Sequence, residues 1–228
     1  MTTKRALQIV FILVYAVIAV IPAVVFFAER GGAAAVFAGE PTESVRQIFP
    51  LFGLYAMFLL WAQILLGSLL PWMTKVFHNI FFFHRGEGVV AFFFAVTHPL
   101  LLTIVVGPQA VLNKSFVSPE RAIFVTLGQL ALLLLTVTVF TALLMRHAIF
   151  RRVWRKIHVL NYAVFVLAWV HSWNIGTDVR FTALRWLWLF YGITAAVAVL
   201  VRLTVVRRRT TPPVEPMPER PQQLQPPR

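Results

Sequence analysis

Four histidines are the residues of this chain best suited to chemistry. His84 and His98 stand fourteen residues apart in HRGEGVVAFFFAVTH, and His158 and His171 thirteen apart in HVLNYAVFVLAWVH; each pair brackets a largely apolar segment. An ionisable side chain inside hydrocarbon is costly, faces the interior of a helix bundle, and by default marks a functional site. Imidazole suits an iron held between two axial nitrogens, one from each of two helices. His78 and His147 fall at loop edges and read as interfacial residues rather than ligands.

Such histidines need a lipid-embedded scaffold, and the composition describes one. Hydrophobic residues make up 59% of the 228 and charged residues only 13%, with a mean hydropathy of +0.79; these values exclude a soluble globule. Basic residues outnumber acidic ones by 21 to 8, but they sit between and after apolar runs, where they set topology rather than bind nucleic acid. The absence of cysteine excludes disulfides, iron–sulfur clusters and thioether haem attachment.

The expected fold is an all-α integral membrane protein, a six-transmembrane-helix bundle with spans at about 8–28, 48–70, 84–106, 122–145, 157–173 and 181–206. The first run is longer than the roughly 7–15 apolar residues of a signal peptide, so it reads as a retained helix. Pro50 lies near the entry of the second span and Pro71 at its exit; PWMTKVFHNIFFFHRGEG reads as a half-apolar interfacial loop. No Asp or Glu is expected deep in any span. Trp61, Trp72, Trp154, Trp173, Trp186 and Trp188 read as an aromatic belt at the boundaries, with Trp169 deeper. Residues 1–209 form one domain, and the Pro- and Gln-rich tail 210–228 is expected to be disordered.

With a cytoplasmic N-terminus, thirteen Lys and Arg residues face that side and six the other before the distal tail. Both termini are therefore expected in the cytoplasm. His84 and His158 then lie near the inner face and His98 and His171 near the outer one. Along a helix the separations are on the order of 20 Å, room for two ring-sized cofactors across a hydrocarbon core of about 30 Å. Two b-type haems, held by His84/His158 and His98/His171, are the chemical reading, with Arg85, Arg155 and Lys156 placed to neutralise inner propionates. Helical phase suits one pair better. Fourteen residues return to within about 40° of the same face, whereas thirteen leave His158 and His171 about 140° apart on a straight helix.

The four-histidine spacing, the basic loop before the second pair, and the texts FHRGEGVVAFFFAVTH and WRKIHVLNYAVFVLAWVHSW resemble the membrane domain of the ferric reductases and NADPH oxidases. The resemblance covers roughly 48–206 and implies two haems in series. Larger members of that family continue into a flavin- and NADPH-binding region, but none of the eleven glycines here forms a G-x-G-x-x-G fingerprint. In size the chain is also similar to the haem-binding membrane subunits of periplasmic methionine sulfoxide reductase systems, while His84 inclines it toward the ferric reductase type.

The resemblance and the residues together imply an oxidoreductase or electron-transfer subunit of the plasma membrane, of the bacterial cytoplasmic type. It would pass single electrons from a separate flavoprotein, or from quinol in the lipid bilayer, to an acceptor or redox partner on the outer face. The resemblance leaves a bound flavin open. The alternative from another class is a metal or proton transporter using intramembrane histidines, disfavoured because ligand pairs some 20 Å apart make a poor cage. A structural subunit that binds partners through its tail is the third reading.

Overall fold

A computed structural model describes residues 3–210, with side chains to residue 204. Ten helices follow in order: α1 Thr3–Ala28, α2 Ala33–Val36, α3 Pro41–Val76, α4 Ile80–Val106, α5 Pro108–Asn113, α6 Pro119–Leu143, α7 Ala148–His158, α8 Asn161–Ile175, α9 Thr177–Phe181 and α10 Leu184–Thr210. There is no strand among the described residues. Five of the helices, α1, α3, α4, α6 and α10, are long and apolar enough to cross a membrane, and the chain is a multi-pass helical membrane protein. The tail expected beyond Thr210 lies outside the described residues.

The helix α3 is the axis of the bundle. Its stretch from Leu54 to Leu66 is almost wholly buried, because α4, α10, α1 and α8 all pack on it. A helix apolar all round is stable only where it is enclosed or in lipid. Its neighbours are apolar on every face too, but expose large side chains such as Val10, Val17, Phe82, Phe93, Leu133 and Ile193 outward, as expected when the surrounding solvent is hydrocarbon. On α10 the stripe Leu184, Trp188, Tyr191, Ala195 and Ala198 is buried. That spacing of three and four residues is the one helical face that can meet α3.

The second span differs from its expected form. The residues 71–76 continue α3, and only 77–79 separate it from α4, so most of the expected interfacial loop is helical. Pro50 and Pro71 are both interior to α3; surrounding helices can re-satisfy the carbonyls that each proline leaves free. Trp61 and Trp188 are core rather than belt residues, 4% and 0% exposed. Their indole N–H groups donate to Thr194 Oγ1 and Ser172 Oγ, both at 2.8 Å; a buried indole needs such an acceptor. Trp186, 72% exposed, keeps the belt role.

The expected fifth span is divided. The amphipathic helix α7 ends at His158, and α8, with fifteen residues, starts at Asn161. Arg151, Arg152, Arg155 and Lys156 are exposed on α7 beside Ile149 and Val153, the composition of a helix lying in a membrane interface. At the other end of the bundle Arg30 grips Asp178 through both carboxylate oxygens, at 2.6 and 3.1 Å. The same guanidinium lies 3.8 Å from the centre of the Phe26 ring, so α1 is tied to α9 by charge and stacking.

Candidate functional site

Antiparallel packing of α3 on α4 places a glycine of α3 against each histidine of α4. A Cβ on Gly53 would meet His98 Nδ1 and Cε1 at 3.0 Å, and one on Gly67 would meet His84 Cε1 at 3.6 Å. The two glycines are fourteen residues apart, as the two histidines are. The pair α6 and α8 repeats the arrangement once: a Cβ on Gly128 would stand 2.6 Å from His171 Nδ1. His98 and His171 thus occupy space that a Cβ would fill, while His84 stands at ordinary contact distance.

The same glycines expose backbone. His98 Nδ1 lies 3.0 Å from the carbonyl oxygen of Phe49, four residues before Gly53. His171 Nδ1 lies 2.8 Å from that of Phe124, four residues before Gly128. In a helix the residue four places on covers a carbonyl's flank, and without a Cβ there the ring can reach the oxygen. A carbonyl only accepts, so both rings carry their proton on Nδ1 and keep the Nε2 lone pair free. That is the tautomer an imidazole needs to bind a metal through Nε2, oriented as metal-ligating histidines are.

The remaining pair meets across α4 and α7. The rings of His84 and His158 have centroids 6.2 Å apart and planes at 82°. His158 Nδ1 lies 3.1 Å from the Asn161 side-chain amide, whereas His84 Nδ1 is buried without a partner. His98 and His171 each sit against a glycine of a neighbouring helix, His98 at Gly53 of α3 and His171 at Gly128 of α6. His84 and His158 are thus brought ring to ring, while His98 and His171 lie on α4 and α8.

The break between α7 and α8 bears on the awkward thirteen-residue spacing. Leu160 N–H donates to the Ile157 carbonyl at 2.9 Å and Tyr162 N–H to that of Val159 at 3.2 Å, both three-residue bonds, with right-handed angles at Val159 and Leu160. A 3₁₀ turn advances about 120° per residue instead of about 100°, so some four overwound residues reduce the 140° misalignment to about 60°. Part of the misalignment of a straight helix is thus taken up in one tight turn.

Of the expected counter-charges, Arg85 is half-buried next to His84, and Lys156 is exposed on α7. The Arg155 guanidinium lies 5.8 Å from the Trp154 ring, which is itself 5.8 Å from the His158 ring. Arg155 is thus linked to the histidine through an aromatic side chain. Trp169 stacks on Trp173 at 5.3 Å, donates to the Trp188 carbonyl and packs against Gly192.

One buried acid corrects the expectation that none lies deep in a span. Glu87, one turn beyond His84, is 7% exposed. It accepts from Tyr15 Oη of α1 at 2.5 Å and from Gln63 Nε2 of α3 at 2.7 Å, and Gln63 also donates to the His84 carbonyl at 2.8 Å. The acid escaped notice because it neighbours Arg85 in sequence and reads as part of a loop. It joins three helices behind His84. Glu87→Leu is expected to leave two buried donors unpaired at about 1–3 kcal/mol each, and Glu87→Gln, which can still accept from Tyr15, only one; thermal midpoints in detergent, with Leu well below Gln, check this.

The fold and site define a multi-pass helical membrane protein with histidines set against glycines of neighbouring helices. The family described as "Ferric reductase like transmembrane component" matches residues 52–169, just over half of the chain, and the chain belongs to that family. It is also 29% identical over 142 residues to the protein-methionine-sulfoxide reductase heme-binding subunit MsrQ of Xanthomonas axonopodis pv. citri (strain 306), across 59% of this chain and 62% of that protein. The chain thus matches less than two thirds of that relative's length. No solved structure matches.

Proposed function

We propose that the chain is a membrane-embedded b-type cytochrome that carries single electrons across the bilayer, with His84 and His158 holding one haem and His98 and His171 a second. The observations that support this reading are the meeting of the His84 and His158 rings and the backbone carbonyls that hold His98 and His171 in the metal-binding tautomer. The inner pair also fits. Imidazole nitrogens bonded at about 2 Å on each side of a metal, plus about 1 Å from nitrogen to ring centre, place two centroids about 6 Å apart, against the 6.2 Å observed.

A haem held there by these histidines would supply one-electron redox chemistry. The chain's own groups hold and insulate it. The carbonyls of Phe49 and Phe124 orient the outer ligands, the glycines make room, and Arg85, Arg155 and Lys156 offer positive charge at the inner level. No side chain is assigned a catalytic acid or base role, because electron relay needs none. In this reading α8 makes the sixth crossing and α7 lies at the cytoplasmic surface, and the excess of basic residues there supports both termini inside. Residues 1–209 act as one domain.

The donor is a separate flavoprotein or quinol, and the acceptor lies outside. The name of the curated relative supports a specific form of this reading, in which the chain feeds a methionine sulfoxide reductase-type partner at the outer face. A dithionite-reduced minus oxidised spectrum with pyridine haemochrome quantification tests the proposal: two haem b per chain are expected. One per chain would remove a pair from the assignment, and none after haem-replete expression would overturn it.

A further inference from the structure

We infer that Asn161 is a positioning residue for His158: its side-chain oxygen, set by Thr138, accepts the imidazole proton on Nδ1 and keeps Nε2 free for iron. The inference rests on the haem reading above, and it starts from a proton count. As drawn, Asn161 Nδ2 faces His158 Nδ1 at 3.1 Å and Asn161 Oδ1 faces Thr138 Oγ1 at 2.7 Å. Thr138 Oγ1 is also 3.0 Å from the Leu135 carbonyl. A hydroxyl has one proton, yet both of these partners only accept. Thr138 is 1% exposed, so no bulk water reaches it to satisfy the contact left over.

Amide oxygen and nitrogen are alike in shape, and which is which follows from the bonding network. A half-turn of the Asn161 amide leaves every heavy-atom position in place and removes the conflict. The Thr138 hydroxyl then donates to Leu135, the Asn161 NH2 donates to Thr138, and Asn161 Oδ1 accepts from His158 Nδ1–H. Each of these three contacts then pairs one donor with one acceptor. In the opposite orientation the amide donates to Nδ1, which drives the neutral ring's proton onto Nε2, where it blocks metal binding.

The arrangement explains why a side chain is used here. At the outer level the carbonyls of Phe49 and Phe124 hold Nδ1. His158 instead closes α7, and the two-residue break before α8 brings Asn161 beside its ring. Thr138 and Asn161 are each ten residues from Gly128 and His171, so one α6–α8 register supplies both supports. The competing role for Asn161 is structural, a clamp between the α7–α8 junction and α6.

Three variants separate the roles in the purified, haem-loaded protein, read by haem content, low-spin electron paramagnetic resonance signals and redox titration. Asn161→Leu is expected to weaken retention of the inner haem by roughly 10- to 100-fold, the range for partners of metal-ligating histidines, and to leave the outer signal unchanged. Asn161→Asp, which can only accept from Nδ1–H, is expected to restore haem content with a lower inner midpoint potential. Thr138→Val, near in shape but unable to orient the amide, is expected to change the inner signal alone. If Asn161→Leu fails to assemble, Asn161→Asp and Thr138→Val decide. Inner signals and potentials equal to the parent's in these variants would overturn the positioning role; absence of haem from the parent would instead overturn the reading on which it rests.

Discussion

Gly128→Ala is expected to release the His171 ring from its carbonyl and to lower haem retention by one to two orders of magnitude. The added methyl would stand 2.6 Å from Nδ1, 2.8 Å from Cε1 and 2.9 Å from Cγ of His171, closer than real Cβ contacts come. Relief cannot come from a flexible end, because the group it meets is a ring held between α6 and α8. Either the helices separate, at the 1–3 kcal/mol typical of overpacking, or the ring turns and its bond to Phe124 is lost, at about 1 kcal/mol. The second route also loses the orientation of a ligand, which costs about 10- to 100-fold in metal affinity. The other glycines calibrate the effect. Gly53→Ala, at 3.0 Å from His98, should be milder, and Gly67→Ala, at 3.6 Å from His84, nearly silent. Haem per chain after detergent extraction should fall in the order Gly67, Gly53, Gly128. Equal haem content in all three would show that the sockets do not govern binding.

Those sockets were legible in part. The four histidines and the lipid-embedded class follow from composition and spacing, since a charge-capable residue in an apolar run has few other uses. The glycines carried a signal that periodicity ignores: FPLFG at 49–53 and FVTLG at 124–128 share a Phe-x3-Gly spacing, and Gly53 and Gly67 keep the interval of His98 and His84. Glycine in a membrane helix is common, so the spacing gains meaning only once its partner helix is known. The break after His158 was announced by the phase mismatch of thirteen residues, but nothing in Val159–Leu160 breaks a helix by propensity. Glu87 was hidden for a different reason. Its acceptors' partners, Tyr15 and Gln63, come from helices remote in sequence, so only tertiary packing shows that an acid can be buried there.

Replacing a histidine within a pair is expected to remove one haem and spare the other, and the two pairs should differ in what else fails. His98→Ala and His171→Ala each delete a ring that fills a glycine-lined socket and caps a helix carbonyl. They should lose the outer haem and also the packing of that level, with large-to-small substitutions in enclosed sites costing about 2–5 kcal/mol. His84 is different. Its Nδ1 has no partner, and its glycine stands at ordinary contact distance, so His84→Ala leaves no protein group newly unpaired and should fold nearly as the parent does. Under the proposed assignment the inner haem nevertheless depends on it. The expected result is one haem per chain, an outer low-spin signal unchanged, and electron transfer across proteoliposomes lost, because the inner half of a path on the order of 20 Å is gone. Carbon monoxide binding by any inner haem that remains would report the vacated axial position. A His84→Ala chain that still binds two haems and passes electrons at the parent's rate would exclude His84 as a ligand, leaving His158 and Asn161 without the role argued for them. Parallel spectra of the four single substitutions thus read the two proposed sites separately: His84 and His158 should fail together, and so should His98 and His171.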